Sequence, residues 1–98
     1  MKKFSSIEEI REEIDEVDIQ ILDLIFNRKK LVTEVVKLKK RNQIIDNKRI
    51  EDILVRLRKE ASKRDLPEEF VEEVWKLMIK TFIAYEEKIF DEIHKLDK

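Results

Sequence analysis

Glycine and cysteine are absent from this chain, and proline and histidine occur once each. Phosphate-cradling loops need backbone that no Cβ obstructs, so the lack of glycine argues against that kind of nucleotide site. Without cysteine there is neither a disulfide framework nor a thiolate metal site, and a single histidine leaves no imidazole cluster to replace it. Pro67 is the only residue that could interrupt a helix from within. Uncharged runs of about 18 residues are also missing, so no segment reads as a membrane span. Met1-Lys2-Lys3 leads through Phe4-Ser5-Ser6 to Glu8-Glu9 with no apolar core, so no secretory leader is read and a cytoplasmic location is expected.

What remains is charge and aliphatic bulk. Charged residues make up 46% and apolar residues 42% of the 98 positions, the composition of long helices with charged surfaces. Acids and bases are interspersed around a net charge of −1, with no global bias toward nucleic acid or an anionic membrane. The length suits one domain, residues 1–98.

Residues 7 to 41 carry one apolar seam. Ile7, Ile10, Ile14, Val17, Ile21 and Leu24 recur at spacings of three and four, and the pattern resumes at Leu31, Val35 and Leu38. Ser6-Ile7-Glu8-Glu9 fits a capping box at its start. Nothing stops the helix before Asn42-Gln43, so a helix over about 6–41 is expected, roughly 50 Å long. A compact domain of this size is only about 33 Å across. The seam covers the whole length, so a partner chain must cover the overshoot, most simply a second copy. Asp46 caps a second helix over 47–63, with the stripe Ile50, Ile53, Leu54, Leu57 and Ala61. Asp65-Leu66-Pro67-Glu68 reads as a cap opening a third helix over 67–95. Its apolar face runs from Phe70 and Val71 through Trp75, Ile79, Phe82 and Ile83 to Phe90 and Ile93. The expected fold is all-α, three helices long–short–long, in an intertwined homodimer.

Polar residues stand in apolar places. Arg28 occupies the seam between Leu24 and Leu31 with no carboxylate one turn away at 24 or 32. Its guanidinium cannot shed its proton, so another helix or a ligand must supply the counter-charge. Lys39, eleven residues later, is nearly eclipsed with it, and two such cations could bracket a small dianion; taken singly, Lys39 also fits a solvated basic turn. Glu86 sits between Phe82 and Phe90 on one helical line, where burial favours the protonated carboxyl, unless it reaches water beside Glu87 and Lys88. Arg11 borders the seam, and Arg49 lies in the first turn of the second helix, where a cation opposes the helix dipole unless an anion is present. His94 reads as a surface residue near a frayed end. No nucleophile–base pair is present, so an enzyme built on this chain would act by electrostatics and positioning.

Taken together, these residues resemble the AroQ-type, all-helical chorismate mutases. The likeness is densest in Ile10-Arg11-Glu12-Glu13-Ile14-Asp15-Glu16-Val17-Asp18 and continues through Ile21-Leu22-Asp23-Leu24-Ile25-Phe26-Asn27-Arg28, Val35-Val36-Lys37-Leu38-Lys39 and Asp46-Asn47-Lys48-Arg49. The resemblance implies an intertwined dimer with active sites built from both protomers, no cofactor and no metal. It implies that Arg11 reaches across from the partner to one substrate carboxylate while Arg28 binds the other. Lys39 would contact the ether oxygen, Arg49 would help to bind, Asp46 would lie at the ring hydroxyl, and Val35, Ile79 and Ile83 would form apolar walls. The implied reaction is chorismate to prephenate, in aromatic amino-acid synthesis on the shikimate pathway.

Two positions depart from the family's commonest pattern. Glu86 stands where most bacterial members carry glutamine as the second donor to the ether oxygen; fungal members use glutamate, which donates only when protonated. Ile50 stands where many mutases place a glutamate on the ring hydroxyl. Isochorismate–pyruvate lyases share the fold, place an apolar residue at that position, and resemble Leu66-Pro67-Glu68-Glu69-Phe70-Val71-Glu72, but they keep the glutamine. That lyase is the alternative activity. A non-catalytic helical dimer, whose polar seam residues fix register, is the alternative of another class.

Overall fold

The computed structural model describes residues 3–95. They form α1 (Ile7–Leu38), α2 (Asn47–Lys63) and α3 (Glu68–His94), with a 3₁₀ turn at Arg41–Gln43 and no strand among the described residues. The all-helical, long–short–long reading therefore holds. None of these helices is long and apolar enough to cross a membrane. The chain divides into two compact units, Met1–Leu31 and Val32–Lys98, and α1 runs unbroken through the boundary.

The first unit is the long N-terminal part of α1. Ser6 Oγ accepts the Glu9 N–H at 3.2 Å, and the Glu9 carboxylate turns back to accept the Ser5 N–H at 3.0 Å and the Ser5 hydroxyl at 2.8 Å. The anticipated capping box thus forms one residue wider than its usual pattern. The Ser5 N–H, and after it the Ser5 hydroxyl, holds the Glu9 carboxyl below the usual carboxylate range. Along this unit the seam residues Ile7, Ile10, Ile14, Val17, Ile21 and Leu24 are 41% to 67% exposed in the single chain.

The second unit opens with the last turns of α1. This helix ends at Leu38, short of the expected 41, because Lys40 is extended and Gln43 captures the backbone there. Gln43 Oε1 accepts the Lys40 N–H at 2.7 Å, and the Gln43 N–H donates to the Lys40 carbonyl at 2.9 Å. A glutamine side chain offers the chain a tight turn in place of another helical one. Asp46 is the cap of α2, its Oδ1 accepting the Arg49 N–H at 3.0 Å.

At the far end of α2 the reading of Asp65 is corrected. It closes α2 and does not cap α3: Leu66 N–H donates to Ala61 O at 2.9 Å and Asp65 N–H to Ser62 O at 3.2 Å, with Asp65 at φ 55. That pair of bonds is the Schellman closure, which needs a left-handed residue. Glycine being absent, aspartate takes the place, one of the few side chains that tolerates it. Pro67 precedes α3, whose first residue is Glu68.

α2 packs on α3 through the anticipated stripe, with Ile53 and Ala61 buried against a face that includes buried Val71 and Ile79. Phe70 was read into that face but is 62% exposed. Arg58 Nε donates to Glu72 Oε1 at 3.1 Å, with a second bond from Nη2, tying the two helices at the surface. That pairing holds the Glu72 carboxyl below its ordinary range.

The last turns of α1 do not bury the residues that the seam named. Val36 is fully buried, whereas Leu31, Val35 and Leu38 are exposed. The inward face also carries Thr33, whose Oγ1 shares a 2.8 Å hydrogen bond with Tyr85 Oη. His94 is likewise not a surface residue. It is half-buried, its Nε2 lies 2.8 Å from the Val36 carbonyl, and its ring stacks on Phe90 at 4.0 Å.

Candidate functional site

The break after Leu38 makes a pocket. Because the chain turns sharply at Lys40 and re-enters a helix at Asn47, the end of α1, the 3₁₀ turn and the cap of α2 line an open pocket of about 500 Å³. That volume suits a small organic molecule. Its polar lining is Lys39, Asn42, Gln43, Asp46 and Asn47, with Val35, Leu38 and Ile45 as apolar walls. Three expected site residues, Val35, Lys39 and Asp46, therefore meet here. The carboxamides of Asn42, Gln43 and Asn47 were not anticipated. The only signal for them was their place in the short stretch between the end of α1 and the start of α2.

Lys39 joins this pocket to α3. Its Nζ donates to Glu86 Oε1 at 2.9 Å, with the Lys39 side chain 24% and the Glu86 side chain 8% exposed. Glu86 is buried, as its phenylalanine neighbours imply, and it does not reach water as a rim residue would. A carboxyl group at this depth requires a hydrogen-bonding partner, and Lys39 provides it. The ammonium carries three donors, so one bond to Glu86 leaves two for a ligand. An anchored cation at a pocket mouth can stabilise negative charge that develops on a bound oxygen.

Ile79 and Ile83 share the α3 face with Glu86 at spacings of four and three; Ile79 is buried and Ile83 half-buried, and neither lines the pocket. Arg49 sits in the first turn of α2 with its side chain exposed, tied to Asp46 through its backbone. The Asp46 carboxylate is engaged as the helix cap. Arg11 and Arg28 belong to the first unit, where Arg11 is exposed and Arg28 half-buried. The described residues hold no acidic or histidine cluster arranged for a metal ion.

A family model described as chorismate mutase type II matches residues 10–87. The chain belongs to this family. The matched stretch runs from just before Arg11 to just after Glu86, so it takes in Arg11, Arg28, Lys39, Asp46, Arg49 and Glu86. No curated protein matches the chain significantly. Within the stretch matched by this chorismate mutase type II family stand Arg11, Arg28, Lys39 and Arg49, with glutamate at 86 and isoleucine at 50.

Proposed function

We propose that the protein is a chorismate mutase, an isomerase that converts chorismate to prephenate as a cytoplasmic homodimer. The observation that carries this reading is the Lys39–Glu86 pair at the pocket, in a chain of the chorismate mutase type II family. The reaction breaks one C–O bond as it forms one C–C bond, with nothing attached to the protein. Two things accelerate it: holding the flexible dianion in its reactive chair-like shape, and aiming donors at the ether oxygen as negative charge gathers there.

Lys39 is the first of those donors. Glu86 is the second when it carries a proton. Arg28 of one protomer and Arg11 of its partner bind the two carboxylates, Arg49 assists, and Asp46 lies at the hydroxyl end. Val35 supplies an apolar wall, and Ile79 and Ile83, which do not line the pocket of the single chain, complete that wall in the dimer. The partner is supported by the half-exposed seam of the first unit, since an apolar stripe that long stays in water only at considerable cost.

The experiment is to incubate the purified protein with chorismate and, separately, with isochorismate. Chorismate is consumed and prephenate appears, with no salicylate or pyruvate from isochorismate. Salicylate and pyruvate as the products would replace this reading with the lyase. A well-folded dimer inert toward both would leave a non-catalytic helical module.

A further inference from the structure

The mutase reading uses Lys39, Val35 and Asp46 of the pocket and gives its carboxamides nothing to do. Gln43 is the one whose orientation the fold settles. It ends the 3₁₀ turn, with Oε1 accepting the Lys40 N–H at 2.7 Å and its own N–H donating to the Lys40 carbonyl at 2.9 Å. A backbone N–H can face only an acceptor, so the oxygen end of the amide is fixed on Lys40 and the nitrogen end is left for other partners. That nitrogen carries two hydrogens, and Gln43 lines the pocket. A side chain already anchored at one end gives up little further freedom when its other end meets a ligand.

The neighbouring groups say what kind of atom suits that donor. Among the described residues that line the pocket, Lys39 is the one cation, and it serves an oxygen that gathers charge. A neutral amide donor beside it suits an uncharged oxygen. Asp46 lines the same pocket, and its Oδ1 is engaged with the Arg49 N–H as the cap of α2, which leaves Oδ2 as an acceptor. A hydroxyl group both donates and accepts. Its hydrogen matches Asp46 Oδ2, and its lone pair matches Gln43 Nε2. In chorismate the ring hydroxyl stands on the carbon next to the one that bears the ether oxygen. A pocket that offers Lys39 to the ether therefore needs its hydroxyl partners close by.

We propose that Gln43 is a substrate-binding residue whose Nε2 donates to the ring hydroxyl oxygen while Asp46 accepts the hydroxyl hydrogen. This deepens the mutase reading and rests on it. One side chain then serves two ends: its oxygen makes the turn after α1, and its nitrogen selects a substrate with a hydroxyl beside the ether.

The test compares chorismate with the analogue in which hydrogen replaces the ring hydroxyl, using the full chain at neutral pH. Gln43→Glu keeps an oxygen for the Lys40 N–H but has no hydrogen to donate, whereas Gln43→Met removes both. The added charge of glutamate repels the two dianions alike, so the readout is the ratio of their kcat/KM values. The native chain should favour chorismate. Gln43→Glu should lower that preference about three- to tenfold, the usual worth of one neutral hydrogen bond, with helical content unchanged. Gln43→Met should lower it as far. A preference that Gln43→Glu leaves intact, whatever the overall rate and whatever Gln43→Met does, means that the amide only builds the turn; the assignment then falls while the mutase stands. A native chain indifferent to the hydroxyl overturns it too. A native chain that rearranges neither compound overturns the mutase reading and this assignment with it.

Discussion

Lys39 Nζ stands 2.9 Å from Glu86 Oε1 across 47 residues of sequence, linking the break after α1 to the inner face of α3. The contact explains how a buried carboxyl group and a pocket-lining ammonium coexist in a small helical unit. It also makes the two side chains interdependent, and the first two predictions use that.

Lys39→Ala removes the donor at the pocket. The expected loss in kcat on chorismate is about 10²–10³-fold, the usual effect of deleting one donor to a developing oxyanion. Helical content by circular dichroism should stay unchanged. An active Lys39→Ala protein would remove the lysine from the mechanism.

Glu86 accepts from Lys39 in the free chain. Glu86→Gln keeps a donor where the carboxyl stands, and Glu86→Ala removes it. The glutamine variant should retain chorismate turnover within about tenfold, while the alanine variant should lose about 10²–10³-fold in kcat, the usual effect of deleting one donor to a developing oxyanion. A glutamine variant as inactive as the alanine one would remove Glu86 from the mechanism.

The Arg58–Glu72 tie predicts an acid limit to stability. The Arg58 hydrogen bond depresses the Glu72 carboxyl below its ordinary 4.5. The contribution is thus fully present above that value and is lost as pH falls through the lower, folded one. Arg58→Ala should return the Glu72 titration, followed by carboxyl NMR, to the ordinary range. It should also shrink the difference in thermal midpoint between neutral and mildly acidic solution. An unmoved Glu72 titration would mean that the pairing is absent in solution.

Asp65 holds a left-handed conformation that glycine adopts without steric cost. Asp65→Gly should stabilise the chain by up to about 1 kcal/mol. A β-branched Asp65→Val should destabilise it by about 1–2 kcal/mol. Thermal denaturation of the two variants reads both signs, and activity should be unaffected. Equal midpoints would contradict the turn described for Ala61–Leu66.

The helices were legible because each carries an apolar stripe at helical spacing, and α2 between Asp46 and Lys63 was readable to the residue. The end of α1 was not. Asn42-Gln43 looked like a stop, whereas the stop is a side-chain event in which Gln43 reaches back to Lys40. The last turns of α1 also carry two overlapping apolar stripes, and spacing alone could not say that Val36, rather than Val35 or Leu38, turns inward. Lys39 and Glu86 were each conspicuous for standing in apolar company. That they touch is a product of the tertiary fold. The carboxamides of the pocket and the bond from His94 were invisible for the same reason.

Two further hydrogen bonds join the helices of the Lys39–Glu86 contact: Thr33 with Tyr85, and the Val36 carbonyl with His94. The final turn of α3 thus works as a strut, holding the ammonium's helix at a set distance from the carboxyl's. Replacing His94 with alanine would slacken that spacing and blur the aim of Lys39, though His94 does not line the pocket.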